Sequence, residues 1–385
     1  MVRLPDADSL NPPELTFARK ITQLNWGLIA LVTTLAGVGC AMLYSAANGE
    51  WSPWAYRHVI RYAMALLLAI GLALVDLRLL MRWSYAIYGL ALGLLASVEV
   101  AGEIGMGAQR WIDFGLIQLQ PSELMKIALV LALARYFHGL NHEVIGRLTY
   151  LVVPSALVLA PVVLVLRQPD LGTAGMILLG GGAMFFLAGV RLRWFFMILI
   201  LSMASVPIGW QFLREYQKER ILTFLNPEND PLGSGYHILQ SKIALGSGGV
   251  FGKGFLQGSQ SHLNFLPEKQ TDFIFTMLAE EFGLIGALSA IALYILVMAY
   301  GVAIALRVRC LFAKLLALGV TTTLFLYVFI NIAMVMGLVP VVGVPLPLIS
   351  YGGTALLTAM IAIGLMMCAY VHRDVIISRQ GLKEE

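Results

Sequence analysis

Residues 261–275, from Ser261 to Phe275, close a long polar stretch and run at Asp272 into a strongly apolar segment. A carboxylate at such a junction has two readings. It can be a general base that takes the proton from a hydroxyl as its oxygen becomes a nucleophile. It can equally be the N-cap of the following helix, with the helix dipole holding its pKa low. A capped Asp is a weak base in water, although it can still accept a proton late in a transition state, once that proton has become acidic. Residue chemistry alone leaves both open.

Other charges lie in or beside apolar runs, where a charge is costly and marks a candidate functional position. Gln120-Pro121-Ser122-Glu123-Leu124-Met125-Lys126 opens one run, with Ser122 or the residues around Pro121 as its cap. Glu123 and Lys126 stand at i, i+3 on one face, close enough to pair. The pair is either structural or also lines a cavity, and losing one partner strands the other charge. Upstream, residues 105–113 read as a short Gly-rich loop with Arg110 beside Trp111. Arg110 is there either a headgroup anchor or a forked donor to a phosphate. Asp170, just before an apolar run, reads as an N-cap. Glu280 and Glu281 are adjacent and therefore point about 100° apart on a helix. Only one of them faces a given cavity, and it needs a Lys or Arg from a neighbouring helix.

These side chains need elements to hold them, and the composition says which kind. Of 385 residues, 59% are hydrophobic and 12% charged, against a soluble norm of about 25% charged. The mean hydropathy is +0.81. The chain reads as an all-α integral membrane protein. Apolar runs near 26–46, 58–76, 83–100, 122–138, 149–166, 171–189, 194–212, 272–303, 313–337 and 350–371 give ten transmembrane helices. Residues 1–24 lack an apolar core and form a polar tail. Residues 25–372 form one membrane domain and 373–385 a second tail. Basic residues in the short loops put both termini in the cytoplasm, so the large 213–271 loop between helices 7 and 8 lies outside, and Asp272 with it. Within that loop, 213–232 reads as an amphipathic helix and turn. Residues 233–260 read as a Gly-rich segment suited to tight turns and close backbone approach. The net charge of +4 is too small and dispersed for nucleic acid. The three cysteines have neither pairing nor metal spacing, and no repeat of a secondary transporter is visible.

The most specific pattern spans Asn331 to Thr354: Asn331, Gly337, Pro340, Gly343, Pro345 and Pro347, then Ser350-Tyr351-Gly352-Gly353. Gly107-Ala108-Gln109-Arg110-Trp111, the Gln120–Lys126 run, Gln168-Pro169-Asp170-Leu171-Gly172-Thr173 and Leu266–Phe275 add to it. Over about residues 25–372 the chain resembles the SEDS proteins (shape, elongation, division and sporulation). Asn264-Phe265-Leu266 and Gly249–Gly254 are more similar to the elongation branch than to the division branch. Some relatives carry a basic residue where this chain has Gln118, so a phosphate contact there is not carried over.

The resemblance implies a peptidoglycan glycosyltransferase that polymerises lipid II at the outer face of the bacterial cytoplasmic membrane. It implies that Asp272 is the catalytic base and that Glu123 and Lys126 shape the cavity beside it. Glu281 and Ser350 are taken as further cavity-lining residues. A polyprenyl diphosphate would leave, so cations must meet the charge that develops on it. Arg110, Lys126, Lys242 and Lys269 are the candidates, with a divalent cation (Mg2+ or Mn2+) as another source of that charge. The implied partners are the lipid-linked glycan strand, a class B penicillin-binding protein, other membrane proteins of the elongation complex, and lipid. A lipid II flippase is the competing reading, but it needs polar groups through the full depth of a cavity. A scaffold that only recruits the transpeptidase has no use for a buried Glu/Lys pair.

Overall fold

The computed structural model describes residues 17–378 apart from 102, 106–107, 114–117, 142, 213–217, 220–221, 225, 227–233 and 263–267. A short α1 (Phe17–Thr22) precedes α2 (Trp26–Ala46), α3 (Ala55–Leu74) and α4 (Leu77–Ala101). Then come β1 (Glu103–Gly105), β2 (Ala108–Asp113) and β3 (Gln118–Leu119). Helices α5 (Pro121–His138), α6 (Leu148–Arg167), α7 (Leu171–Leu187) and α8 (Leu192–Phe212) follow. The chain ends with α9 (Ser234–Ser247), α10 (Ser259–His262), α11 (Ile274–Arg307), α12 (Leu311–Val335) and α13 (Gly353–Val371).

Each apolar run of the sequence is helical over most of its length. Among the described residues, seven helices are long and apolar enough to cross a membrane: α2, α3, α4, α6, α11, α12 and α13, the first part of α4 counting to Glu99. The chain is a multi-pass membrane protein. Helix α7 is a shorter apolar helix, as is the Leu192–Ser205 part of α8, and α5 carries three charges, Glu123, Lys126 and Arg135. Helix α5 is buried on nearly every side, as a helix without a polar face must be when it lies at the centre of a bundle. It packs on α4, α12 and α7, while α13 packs most extensively on α3. Outer helices instead turn Phe196, Leu199, Ile200 and Leu201 of α8 outward, where lipid replaces protein as the apolar partner.

Two expectations need correction. Residues 103–119 are not a plain loop in an all-α chain: β1, β2 and β3 form a three-stranded antiparallel sheet in that order. The stretch 233–260 is not tight turns throughout. Its glycine-free middle, Tyr236–Leu245, lies within helix α9, and the special turns fall after it. The amphipathic helix read over 213–232 lies largely outside the described residues.

Helix α11 is 34 residues long but broken at Gly283, whose φ of 66° and ψ of −161° are not helical. The glycine turn after α9 enters that break. Leu284 N and Ile285 N donate to the carbonyls of Gly249 (2.9 Å) and Val250 (3.2 Å), while Lys253 N and Gly254 N donate to those of Glu280 and Glu281, both at 3.0 Å. The groups freed by the break are thus re-paired by the loop, which a break at membrane depth requires. A Cβ on Gly252 would sit 2.1 Å from the Glu281 carbonyl, so only glycine fits this approach.

Candidate active site

Asp272 sits in a turn two residues before α11, whose N-cap is Phe273 with no side-chain hydrogen bond. The N-cap reading of Asp272 is therefore overturned. The turn is fixed by its own chain: Thr271 N donates to Glu268 O at 3.0 Å, and Thr271 Oγ1 to Glu268 Oε2 at 3.2 Å.

The Asn331–Thr354 signature holds this turn from the other side, and it does so through backbone groups. Asn331, fully buried near the end of α12, donates from Nδ2 to Asp272 O (2.9 Å) and to Val344 O (2.7 Å). Ser350 Oγ donates to Thr271 O at 2.6 Å and accepts from Leu346 N at 2.8 Å. Tyr351 N donates to Gln270 O at 2.8 Å. Ser350 is thus a clamp on the turn rather than a group aimed at substrate. A Cβ on Gly343 would lie 3.3 Å from Asp272 Oδ2, so the carboxylate lies against the same loop.

With the backbone doing the holding, the Asp272 carboxylate receives no hydrogen bond from any described residue. Burial first, and the nearby Glu268 carboxylate second, push its pKa up to about 6. That is opposite to the lowered pKa of a capped Asp. A carboxylate raised towards neutrality is a better proton acceptor and is still largely ionised at pH 7. Lys269, also in the turn, is buried, and burial lowers its pKa.

The Glu123–Lys126 pair forms within α5, Nζ to Oε1 at 2.6 Å, with both side chains buried. Tyr327 of α12 completes it. Its hydroxyl donates to Glu123 Oε2, and its ring lies 4.2 Å from Lys126 Nζ, a cation–π contact. Tyr327 and Asn331 are four residues, about one turn, apart on α12, about 6 Å along the axis. One face of α12 therefore joins the ion pair to the Asp272 turn. Neither residue was singled out as a site position from sequence. The available signal was two hydrogen-bonding side chains at i, i+4 in an apolar helix.

The other candidates are elsewhere. Arg110 Nε lies 3.4 Å from Asp170 Oδ2, and its Nη2 donates to Pro169 O at 3.1 Å. Asp170 is itself the N-cap of α7, accepting from Thr173 N at 3.1 Å. Arg110 thus ties β2 to the start of α7. Lys242 is exposed, its ammonium end against Gly337. Glu280 and Glu281 are both fully buried, so the reading in which only one turns inward fails. Their partners come from residues 253–262 and from α2: a lysine of the loop rather than of a helix for Glu280, and a histidine of the short α10 for Glu281. Glu280 takes Lys253 Nζ at 2.8 Å and Gln260 N at 2.9 Å. Glu281 Oε1 accepts from Ser45 Oγ and lies 3.3 Å from His262 Nε2. Both carboxylates meet the 253–262 segment just before the break at Gly283, and Glu281 belongs to that hinge. Among the described residues no three His, Cys, Asp or Glu side chains converge as metal ligands.

A family model described as cell cycle protein, covering FtsW, RodA and SpoVE, matches residues 20–374. The chain is 43% identical over 368 residues to the peptidoglycan glycosyltransferase MrdB of Escherichia coli K12, covering 95% of this chain and 98% of that one. Among solved structures it is similar to a chain of a peptidoglycan synthase complex that coordinates polymerization and crosslinking, with a TM-score of 0.78 at 33% identity over 91% of this chain and 98% of that one. It is also similar to the rod shape determining protein RodA of Thermus thermophilus, with a TM-score of 0.69 at 30% identity over 91% of this chain and 97% of that one.

Proposed function

The chain belongs to the FtsW/RodA/SpoVE family, and from that premise we propose that it is a peptidoglycan glycosyltransferase, polymerising lipid II for cell elongation at the outer face of the bacterial cytoplasmic membrane. The observation that carries the mechanism is the Asp272 turn. Three backbone contacts fix its position, and its carboxylate, which accepts no hydrogen bond among the described residues, has a pKa raised to about 6.

The reaction balances on that group. The 4-hydroxyl oxygen of a lipid-linked N-acetylglucosamine attacks C1 of the N-acetylmuramic acid at the end of the growing strand. Its proton passes to Asp272. The C1–O bond breaks with inversion, and its electron pair leaves on the polyprenyl diphosphate. Asp272 contributes as base; Asn331 and Ser350 position it. Glu123, Lys126 and Tyr327 brace the adjoining face of α12, where a neutral, fully paired cluster keeps both charges stable inside the bundle.

Ten crossings with both termini in the cytoplasm follow if α5, α7 and α8 cross as well, and this arrangement keeps Asp272 outside. The similarity to a chain from a synthase complex supports a class B penicillin-binding protein as the partner that crosslinks the strands. Purified protein with that partner, given lipid II, should release glycan strands detectable by gel. A well-folded preparation that moves lipid II across the bilayer but lengthens no strand would favour the flippase instead.

A further inference from the structure

The leaving diphosphate needs positive charge, and the cations first considered for it are engaged or displaced. Arg110 faces Asp170 and Lys126 faces Glu123. Lys269 is buried in the turn, and Lys242 lies over Gly337. Two arginines absent from that set are placed differently. Arg57 and Arg61 stand at i, i+4 on one face of α3. The Arg61 guanidinium lies 4.9 Å from the Tyr351 ring centre, and a Cβ on Gly353 would be 3.4 Å from its Cζ. Arg57 interacts with the Tyr351 side chain as well. Tyr351 is the residue whose backbone N–H holds Gln270, two positions before Asp272.

Among the described residues neither arginine forms an ion pair with an acid, whereas Arg110, Lys126 and Lys253 each do. Like charges at i, i+4 repel. The start of α13, whose N-cap Gly352 offers no side-chain cap, adds further positive potential at the same place. Such a gathering is costly unless an anion joins it. Arg57 is exposed and Arg61 half-buried, so both can reach a ligand, and a guanidinium presents the forked donors that match phosphate oxygens.

We propose that Arg57 and Arg61, gathered at Tyr351 and Gly353, bind the polyprenyl diphosphate that leaves during polymerisation. This rests on the glycosyltransferase reading and supplies its missing half. Asp272 receives the proton on one side of the Tyr351–Gln270 junction, and the arginines receive the electron pair, as diphosphate charge, on the other. Phospholipid headgroups share the phosphate chemistry, so the test must separate the two.

The full chain in nanodiscs, with its transpeptidase partner, would be titrated with polyprenyl diphosphate, and lipid II polymerisation measured in parallel. Arg57→Gln/Arg61→Gln should weaken diphosphate binding by about tenfold or more and lower kcat. Arg61→Lys should recover part of the binding, and Arg110→Gln should leave it near wild type. Phosphatidylglycerol should not displace the probe, and polyprenyl monophosphate should compete less well. Asp272→Asn should still bind diphosphate while losing polymerisation. If the double variant misfolds, Arg57→Gln alone decides, because Arg57 is exposed. Unchanged diphosphate affinity in a folded Arg variant, or equal displacement by phosphatidylglycerol, overturns the proposal. If wild type binds diphosphate but lengthens no strand, the glycosyltransferase reading fails while the binding site stands.

Discussion

Asp272 carries a carboxylate that burial and Glu268 together push up to about 6, and this has a direct consequence for rate. Polymerisation should fall as pH drops through about 6, because the base becomes protonated. Glu268→Gln removes the like charge, so it should move that inflection to lower pH; a profile that stays put would show that Asp272 is not the titrating group. The Glu123–Lys126–Tyr327 cluster makes a different prediction. Removing one partner of a buried pair costs about 3–5 kcal/mol, more than removing both. Thermal unfolding should therefore find Glu123→Gln less stable than Glu123→Gln/Lys126→Met. Equal losses would mean that the two charges do not depend on each other. At this scale the pair was legible from its i, i+3 spacing alone. Tyr327 was not, since nothing in the sequence says which apolar helix faces α5. Residue types left Asp272 open between base and N-cap, and the cap alternative falls because Phe273 occupies the N-cap, a shift of one residue that spacing cannot resolve.

Helix α11 and the glycine turn are a single mechanical unit. The turn re-pairs the backbone at the Gly283 break, and Glu280 and Glu281 bind Lys253 and His262 from the same segment. Gly283 adopts a conformation open in practice only to glycine, at a cost of about 1–3 kcal/mol for other residues. Gly283→Ala should lower the melting temperature and expose residues 248–262 to proteolysis, and an unchanged digestion pattern would argue that the turn is not docked there. The turn Gly248–Gly254 after α9 announced unusual backbone through its glycines. Its target did not show, because the partner carbonyls lie some 30 residues further along the chain and carry no side-chain signature. In the same way the β1–β3 sheet escaped notice. Strands β1 and β3 are too short for period-2 alternation to register, and the six residues of β2, Ala-Gln-Arg-Trp-Ile-Asp, do not alternate.

At the scale of the whole molecule, hydropathy located the helices well, because the roughly 30 Å thickness of the bilayer core imposes a length on every crossing. What it could not supply is which helices form the centre, since a helix facing lipid and one facing protein are equally apolar. The proposed topology puts 213–271 outside. Gln257→Cys in living cells should react with a membrane-impermeant maleimide added externally, whereas labelling only after permeabilisation would invert the arrangement and remove Asp272 from the substrate side. The most direct test of the central claim is the rate of lipid II polymerisation by Asp272→Asn, assayed with the transpeptidase partner and shown to fold as wild type does. Asn keeps the shape of Asp272 but cannot take the proton, so strand synthesis should drop by about 100-fold or more, the scale of a lost general base. Synthesis near the wild-type rate would contradict the assignment of Asp272 as the base.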